Sequence, residues 1–309
     1  MKTIVDVLVY LSVRGLFAVL GVLPQWVRVA LFANLFRLAL LVMPKLKRTC
    51  LQNLELAFPE RDVGWRRKIL RKNMTEMGRL LADTVRLATI DLAWIQAHMD
   101  FQQLESCTGR LKALGGPGAL VITGHLGSFE LLGHTCGLID YPIAPVARKF
   151  GSPLLDNWWT GLREISGNRI IDRKGGYKAM LAAVLQGTPV AVLFDQNVTS
   201  KHAVFVDWFG TQAATTKAIA LIAIKTRAPI FVTSLRYVGG DRYAVDALDC
   251  DCTDIYEDSQ ASYEEKVRIL TQRISDLYCQ LIVKFPEGWF WLHRRWKTRP
   301  EGDKRAIYS

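Results

Sequence analysis

The spacing of apolar and polar positions changes repeatedly between two periods along residues 118–285. Short apolar runs rich in β-branched residues predict six strands, which are GALVIT, YPIAPVA, NRIIDR, TPVAVLFD, APIFVTSLRYV and RYAVDAL. Apolar residues at helical spacing between and after these runs predict helices at 129–138, 152–165, 177–185, 216–226 and 263–285. Strands that alternate with helices predict an α/β fold with a largely parallel central sheet covered by helices on both faces.

The first 44 residues contain two apolar segments, separated by Pro24 and ended by Pro44. The first segment, residues 4–23, is long enough to span a bilayer, which takes about 20 residues. The second carries Arg28, Asn34 and Arg37 on different helical faces, so we expect it to lie at the membrane interface or to pack on the domain. We therefore predict a membrane-anchoring segment at 1–44 and one domain at 45–309; two helices of a soluble core are the alternative.

A strong positive charge accompanies this apolar composition. The net charge is +11 and half of the residues are hydrophobic, a combination that favours a membrane surface, an acidic carrier or a phosphorylated substrate as partner. We expect no nucleic-acid partner, because no nucleic-acid motif accompanies the charge. The six cysteines form no CxxC pair, so we expect free thiols in a cytosol-facing protein, with the CxC of Cys250 and Cys252 binding no zinc.

The stretch ALVITGHLGSFELLGH places an imidazole in the turn between a predicted strand and a predicted helix. Gly124 and Gly127 permit a tight turn, and Ser128 is a favourable N-cap for the helix. Across such a turn, His125 and Glu130 can approach each other, and a carboxylate would make the imidazole more basic. The free ring nitrogen could then take a proton from a substrate hydroxyl.

Two other interpretations of this stretch remain open. His125 can be a structural residue while Glu130 complements the helix dipole. A metal bound by His125, Glu130 and His134 is the second possibility, although no established zinc spacing matches. Ser128 lacks the frame of a nucleophile elbow.

The same residues resemble the H-x4-D/E block of the glycerolipid acyltransferase superfamily. Within that superfamily the chain looks most like the bacterial lipid A secondary acyltransferases, and the similar segments follow one another from about Asn53 to Pro300. They are NLELAFPE, GHLGSFE, VARKFGSPLLD, GNRIIDR, FDQN, VDWFGTQAATT and WFWLHRRWKTRP.

This resemblance implies an O-acyltransferase that moves a fatty acyl chain from acyl carrier protein or coenzyme A to a hydroxyl of a lipid A precursor, an anionic glycolipid. It implies that His125 is the general base and Glu130 its partner. Four further residues would bind substrate: Arg148, Arg173, Asp195 and Gln196. No metal and no cofactor beyond the thioester donor is expected.

The resemblance also implies a place on the cytoplasmic face of a bacterial inner membrane. Other glycolipids or amino lipids remain possible acceptors, and a lipid-binding protein without catalysis or a metal-dependent hydrolase are the alternatives from other classes. Near the C-terminus, the aromatic and basic residues of GWFWLHRRWKTRP fit either a membrane or carrier surface, or a core whose charges are solvated.

Overall fold

A computed structural model of the chain describes residues 2–100, 109, 118–303 and 305–308. Within these residues, six strands form one sheet in the order β3-β2-β4-β1-β7-β8, and β5 and β6 form a separate antiparallel hairpin. Only β8 runs antiparallel to its neighbour in the six-stranded sheet. The strands are β1 Leu120–Thr123, β2 Ala144–Ala147, β3 Ile171–Asp172, β4 Val190–Leu193, β5 Ala203–Trp208, β6 Thr211–Thr216, β7 Ile230–Gly239 and β8 Arg242–Cys250.

All six strand predictions are confirmed, and so is the α/β fold with its mostly parallel sheet. The β5–β6 hairpin was missed. Its two-residue turn is Phe209 and Gly210, and both have positive φ, 55° and 74°. Two-residue hairpin turns with positive φ usually have the sequence Asn-Gly or Asp-Gly, and Phe-Gly does not predict one.

The described residues also form helices before, between and after the strands of this sheet. They are α1 Lys2–Gly21, α2 Gln25–Val42, α3 Pro44–Ala57, α4 Val63–Arg86, α5 Leu92–His98, α6 Phe129–Leu138, α7 Pro153–Glu164, α8 Gly176–Leu185, α9 Ala218–Thr226, α10 Thr253–Glu257 and α11 Tyr263–Lys284. Apolar residues recur at helical spacing through residues 65–98, but α4 and α5 are separate helices. Asp91 caps α5, accepting a hydrogen bond from the Trp94 amide at 2.8 Å.

The core lies on both faces of the sheet. Because side chains alternate along a strand, Leu120 and Ile122 of β1 pack on one face with α9 and α11, whereas Val121 packs on the other face. On that second face α6 covers the sheet, with Leu131 fully buried. This is the face over which the first βα turn carries His125.

The apolar N-terminal segments form two long helices that are largely outside the core. Among the described residues, Ile4–Gly21 and Gln25–Val42 are long and apolar enough to cross a membrane, with mean hydropathy 1.9 and 1.4. Only 6% and 22% of these two windows is buried. Helix α2 also packs along α4. The membrane-anchoring role of residues 1–44 remains a prediction.

The aromatic C-terminal segment belongs to the core. Trp289, Trp291 and Trp296 are 2%, 0% and 0% exposed, and Arg295 is fully buried among them. The Arg295 guanidinium lies over the Trp208 ring and donates to the Ala214 carbonyl at 2.8 Å. The interpretation of these tryptophans as a membrane or carrier surface is therefore wrong, and Arg294 and Lys297 are the exposed cations of this segment.

The described cysteines, Cys50, Cys136, Cys250, Cys252 and Cys279, are free thiols. Cys107 lies outside the described residues. Burial raises the pKa of the Cys136 thiol to about 12 and that of Cys50 to about 12, so both stay protonated and unreactive at neutral pH.

Candidate active site

The strand register brings His125 to Asp195. β1 and β4 are parallel neighbours in which Thr123 lies opposite Leu193, and each strand is followed two residues later by one of these side chains. His125 Nδ1 lies 2.9 Å from Asp195 Oδ1, and the His125 backbone amide donates to Asp195 Oδ2, also at 2.9 Å. The Trp289 indole donates to the same Oδ2 at 2.8 Å. Three donors therefore hold the Asp195 carboxylate, and one of them is the imidazole.

Two glycines let the His125 turn come this close to its neighbours. A Cβ at Gly124 would lie 2.0 Å from the Tyr278 hydroxyl and 2.7 Å from Asp195 Cγ. Gly127 has φ +65°, and a Cβ there would lie 1.9 Å from the Leu235 carbonyl oxygen. Only glycine fits both positions, so the turn that carries His125 is held rigidly over β7.

The charges of the pair stabilise each other. Burial by itself lowers the pKa of His125, but the Asp195 charge, its hydrogen bond and the nearby Glu130 charge outweigh burial, and the pKa of His125 is raised above 6.5. Burial raises the pKa of Asp195, yet the His125 charge and the hydrogen bonds from His125 and Trp289 hold it below 3.8. Asp195 is therefore an anion throughout the neutral pH range.

The neutral ring is held in the tautomer that a general base needs. Because the Asp195 carboxylate can only accept, the Nδ1 of His125 carries the proton, and Nε2 presents its lone pair. The side-chain nitrogen of Gln196 lies 3.3 Å from this Nε2. A substrate hydroxyl that displaced Gln196 would meet a basic nitrogen.

Glu130 contacts a different partner from the one expected. Its carboxylate accepts two hydrogen bonds from the Arg163 guanidinium on α7, at 3.0 Å and 2.5 Å. The expected hydrogen bond between His125 and Glu130 is absent, and His125 bonds Asp195 instead. The register of β1 and β4 places Asp195 at the ring, whereas Glu130 projects from α6 toward α7. Glu130 influences His125 through its charge. Its catalytic role remains a prediction.

Ser128 does not act as a side-chain N-cap. Its hydroxyl donates to Asp83 Oδ2 at 2.5 Å, and the Tyr243 hydroxyl and the Gln25 amide donate to Asp83 Oδ1 at 2.8 Å and 2.7 Å. Asp83 is fully buried, and burial raises its pKa. The turn that bears His125 is thus connected through one carboxylate to α2, α4 and β8.

A cavity of about 1370 Å³ opens at this edge of the sheet, larger than the ~300–1,000 Å³ of typical small-molecule sites. His125, Glu130 and Gln196 line it. Its apolar wall lies between α6 and the sheet and includes Val121, Leu132, Cys136, Ile139, Tyr141, Ile143, Ala191 and Phe231. The cavity therefore has basic and acidic side chains at the strand ends and an apolar wall in its interior.

Arg148 and Arg173 lie at the same strand edge. β2 and β3 are parallel with Ala147 opposite Asp172, and each arginine is the next residue along its strand. Both side chains line the cavity and both residues are exposed. Guanidinium groups in this position suit phosphate or carboxylate groups of a ligand entering from solvent.

His134, the third residue of the possible metal site with His125 and Glu130, binds a backbone carbonyl instead. The Nε2 of His134 is 3.1 Å from the Ile90 carbonyl, and burial lowers the His134 pKa. Within residues 2–100, 109, 118–303 and 305–308, no group of three His, Cys, Asp or Glu side chains could hold a metal ion.

Sequence reasoning missed several residues of this site, among them Arg163, Asp83 and Trp289. Their contacts join segments 33, 45 and 94 residues apart, and no local spacing reports such contacts. Asp195 carried a usable signal, since it follows a predicted strand as His125 does. His293 was also missed; its Nε2 accepts a hydrogen bond from the Asn197 backbone amide at 2.9 Å. Burial lowers the pKa of His293 to about 4, so the ring stays neutral and can accept this bond.

Comparison with known proteins gives matches over most of the chain. The sequence profile of the bacterial lipid A biosynthesis acyltransferases matches residues 2–298. The chain is 30% identical to a lipid A biosynthesis lauroyltransferase of Escherichia coli over 91% of this chain and 88% of that protein. It is 24% identical to a lipid A biosynthesis myristoyltransferase of the same organism, over 94% and 87%. It is 21% identical to a phosphatidylinositol mannoside acyltransferase of Mycolicibacterium smegmatis, over 77% and 75%.

Proposed function

Since the chain belongs to the bacterial lipid A biosynthesis acyltransferase family and is an acyltransferase, we propose that it moves a fatty acyl group from an acyl thioester to a hydroxyl of a lipid A precursor, with His125 as general base. The observation that carries this proposal is the His125–Asp195 pair, whose free Nε2 lies at a large cavity with an apolar wall. The family match supports the reaction class, and the site supports the roles of the residues.

In the proposed step, Nε2 of His125 takes the proton of the acceptor hydroxyl as its oxygen attacks the thioester carbonyl carbon. The new C–O bond forms, the C–S bond breaks, and the protonated imidazole returns its proton to the thiolate. Asp195 keeps the ring in the Nδ1–H tautomer and stabilises the imidazolium. No covalent acyl-enzyme is needed, because the alcohol attacks directly.

The charged groups at the cavity have separate proposed tasks. Glu130 holds Arg163 by two hydrogen bonds and adds negative charge that makes His125 more basic. Arg148 and Arg173 would bind phosphate groups of the acceptor or of the donor, acyl carrier protein or coenzyme A. The apolar wall would hold the acyl chain away from water.

The apolar surface of α1 and α2 and the net charge of +11 support a place at the cytoplasmic face of the inner membrane, where lipid acceptor and thioester donor meet. The transferred acyl chain is insoluble in water, so an enzyme at the membrane surface avoids exposing it.

Mass spectrometry of the lipid product tests the proposal directly. The protein in detergent micelles is incubated with a lipid A precursor and, in parallel reactions, acyl carrier protein thioesters or coenzyme A thioesters. The expected product is heavier by one acyl group and forms with the unsubstituted protein and with Asp246→Asn, a control carboxylate on β8 that pairs with Arg236 and Lys284. His125→Ala should reduce turnover by about 10²–10⁴-fold, the usual contribution of a positioned base. Near-normal turnover in folded His125→Ala would refute His125 as base, and product only with another acceptor would refute the lipid A assignment.

A further inference from the structure

The two N-terminal helices expose many large apolar side chains. We call this set the apolar face, and it consists of Ile4, Val5, Leu8, Leu11, Leu16, Val19 and Val22 from α1 and its end, and Trp26, Leu31, Leu35, Leu38, Leu41 and Val42 from α2. These side chains are between 49% and 83% exposed. A patch of this size on a protein needs an apolar environment.

Four charged residues of these helices, Asp6, Arg14, Arg28 and Arg37, contact partners outside the apolar face, and Arg14 and Arg37 are exposed. Asp6 bonds the Ser152 hydroxyl ahead of α7, and the Arg14 guanidinium lies 5.5 Å from the centre of the Trp158 ring. Arg28 is buried and donates to Gln25 at 2.7 Å, and Arg37 donates to Thr75 of α4 at 2.9 Å. Each helix therefore has one side that fits the domain and another that fits lipid.

Helix α2 is fixed along α4 over most of its length. Gln25 bonds Asp83 at one end, and Arg37 bonds Thr75 at the other, so twelve residues, or about 18 Å of helix, run antiparallel to α4. Between these contacts Gly78 allows the two backbones to touch, since a Cβ there would lie 2.7 Å from the Ala33 amide nitrogen.

Helix α4 cannot enter a bilayer with α2. Its outer surface carries four exposed cations, Arg67, Lys68, Arg71 and Lys72. Charged side chains are strongly disfavoured in the hydrocarbon core unless they are paired or reach water. Helix α4 is also fixed in the domain, because Asn73 donates to the Glu287 and Trp289 carbonyls at 2.7 Å and Asp83 accepts from Ser128. An α2 that crossed the membrane in this position would carry α4 and the domain with it, so it lies beside the membrane surface.

Helix α1 is fixed in the same way along α7. Asp6 contacts the start of α7, and the Phe17 ring lies 4.9 Å from Trp158 and 5.8 Å from Trp159, so two points about 16 Å apart along α1 rest on that helix. Helix α7 carries Arg163 of the candidate site. The depth of α1 in the membrane is therefore limited by the domain and its charged site.

On its domain side, opposite the apolar face, helix α1 lies near the cavity. Phe150, which lines the cavity and is 59% exposed, has its ring 5.6 Å from Trp159, and Trp159 contacts Phe17. Along this path an acyl chain meets aromatic side chains between the bilayer and the cavity.

We propose that α1 and α2 lie within one leaflet of the bilayer, as an in-plane anchor that does not cross it. The occupant of the apolar face is the acyl region of an anionic leaflet, because the exposed cations Lys45, Lys47 and Arg48 follow the end of α2 directly, where lipid phosphates would lie. The proposal rests on the membrane association under the proposed function and adds its geometry.

Fluorescence quenching by brominated lipid distinguishes the in-plane position from a membrane span. The full chain carries a bimane label on a single introduced cysteine, one variant at a time, and binds preformed phosphatidylethanolamine–phosphatidylglycerol vesicles whose outer leaflet alone holds brominated lipid. The labelled exposed positions are Val5→Cys, Leu11→Cys and Val19→Cys on α1, and Leu35→Cys and Leu41→Cys on α2.

The expected result is strong quenching of similar size at all five positions. Control labels at exposed positions of the domain, Ser259→Cys and Glu264→Cys, should be quenched several-fold less. Labelled unsubstituted protein provides the background from native thiols.

A membrane span would place Val5 and Val19 about 21 Å apart in depth, so quenching would fall from one end of α1 to the other. That result would overturn the in-plane anchor and leave membrane association intact. Absence of quenching at every position would overturn the anchor and membrane association together.

Discussion

The substitution Asp195→Asn tests how the site sets the basicity of His125. It retains the shape of the side chain but removes the charge that faces the ring nitrogen at 2.9 Å. Burial lowers the pKa of His125, and Asp195 is the main influence that raises it. Without that charge the pKa of the imidazole should fall below its normal value of 6.5.

The size of this fall can be worked from the geometry. Two unit charges about 4 Å apart interact by roughly 4 kcal/mol at an effective dielectric of 20, equivalent to about three pH units at 1.36 kcal/mol each. The ring is 22% exposed, so solvent reduces this figure. The pKa of His125 should therefore fall, by less than this unscreened figure.

The assay is the pH dependence of kcat/KM for acyl transfer. A general base works in its neutral form, so the rate of the unsubstituted protein should rise with pH to a midpoint above 6.5. In Asp195→Asn the midpoint should move to lower pH. The plateau rate should fall by about 10²–10⁴-fold, because an asparagine amide can face the ring with its N–H group and favour the wrong tautomer.

Asp246→Asn is the control and should leave both midpoint and plateau unchanged. A folded Asp195→Asn protein with the original midpoint and a rate within about threefold of normal would refute the claim that Asp195 tunes a base, since proton transfer contributes at least about 10²-fold.

Five other single substitutions and one double variant probe the surroundings of the site. Glu130→Gln and Arg163→Gln should each lower turnover, and the double variant should be no worse than the worse single one, because both break the same pair; additive losses in the kinetic assay would contradict this coupling. Asp83→Ala should destabilise the protein by about 3–5 kcal/mol in thermal or denaturant unfolding, since three buried donors lose their acceptor at roughly 1–3 kcal/mol each; an unchanged Tm would contradict it. Gly127→Ala should lower Tm because of its positive φ and the Leu235 carbonyl, whereas Gly161→Ala, in an open position on α7, should raise stability by about 0.5–1 kcal/mol; equal effects of the two would show that the turn is not constrained.

The local pattern of apolar and polar residues was enough to predict the six strands of the sheet and the positions of His125 and Asp195 after two of them. Strand periodicity is a property of neighbouring residues, so all six strands of the sheet were visible in it, and helix Phe129–Leu138 was predicted with its observed ends. His125 and Asp195 could both be placed after strands, and parallel strands gather such positions at one edge of the sheet.

Which of these residues meet was decided by the tertiary structure. Spacing suggested Glu130 as the partner of His125, but the pairing of Thr123 with Leu193 brings Asp195 to the ring, and the packing of α7 on α6 gives Glu130 to Arg163. Such contacts depend on strand order and helix packing, which involve residues tens of positions apart.

The apolar composition of residues 4–42 determined that the two N-terminal helices need an apolar environment, but composition is the same for a membrane span and for a helix lying in the interface. The difference comes from the packing of α2 along α4 and of α1 along α7, which leaves one side of each helix for lipid. In the C-terminal segment the same limit applied to Trp289, Trp291 and Trp296. Indole side chains suit an interface and a core equally well, and the sheet and α11 enclosed them in the core.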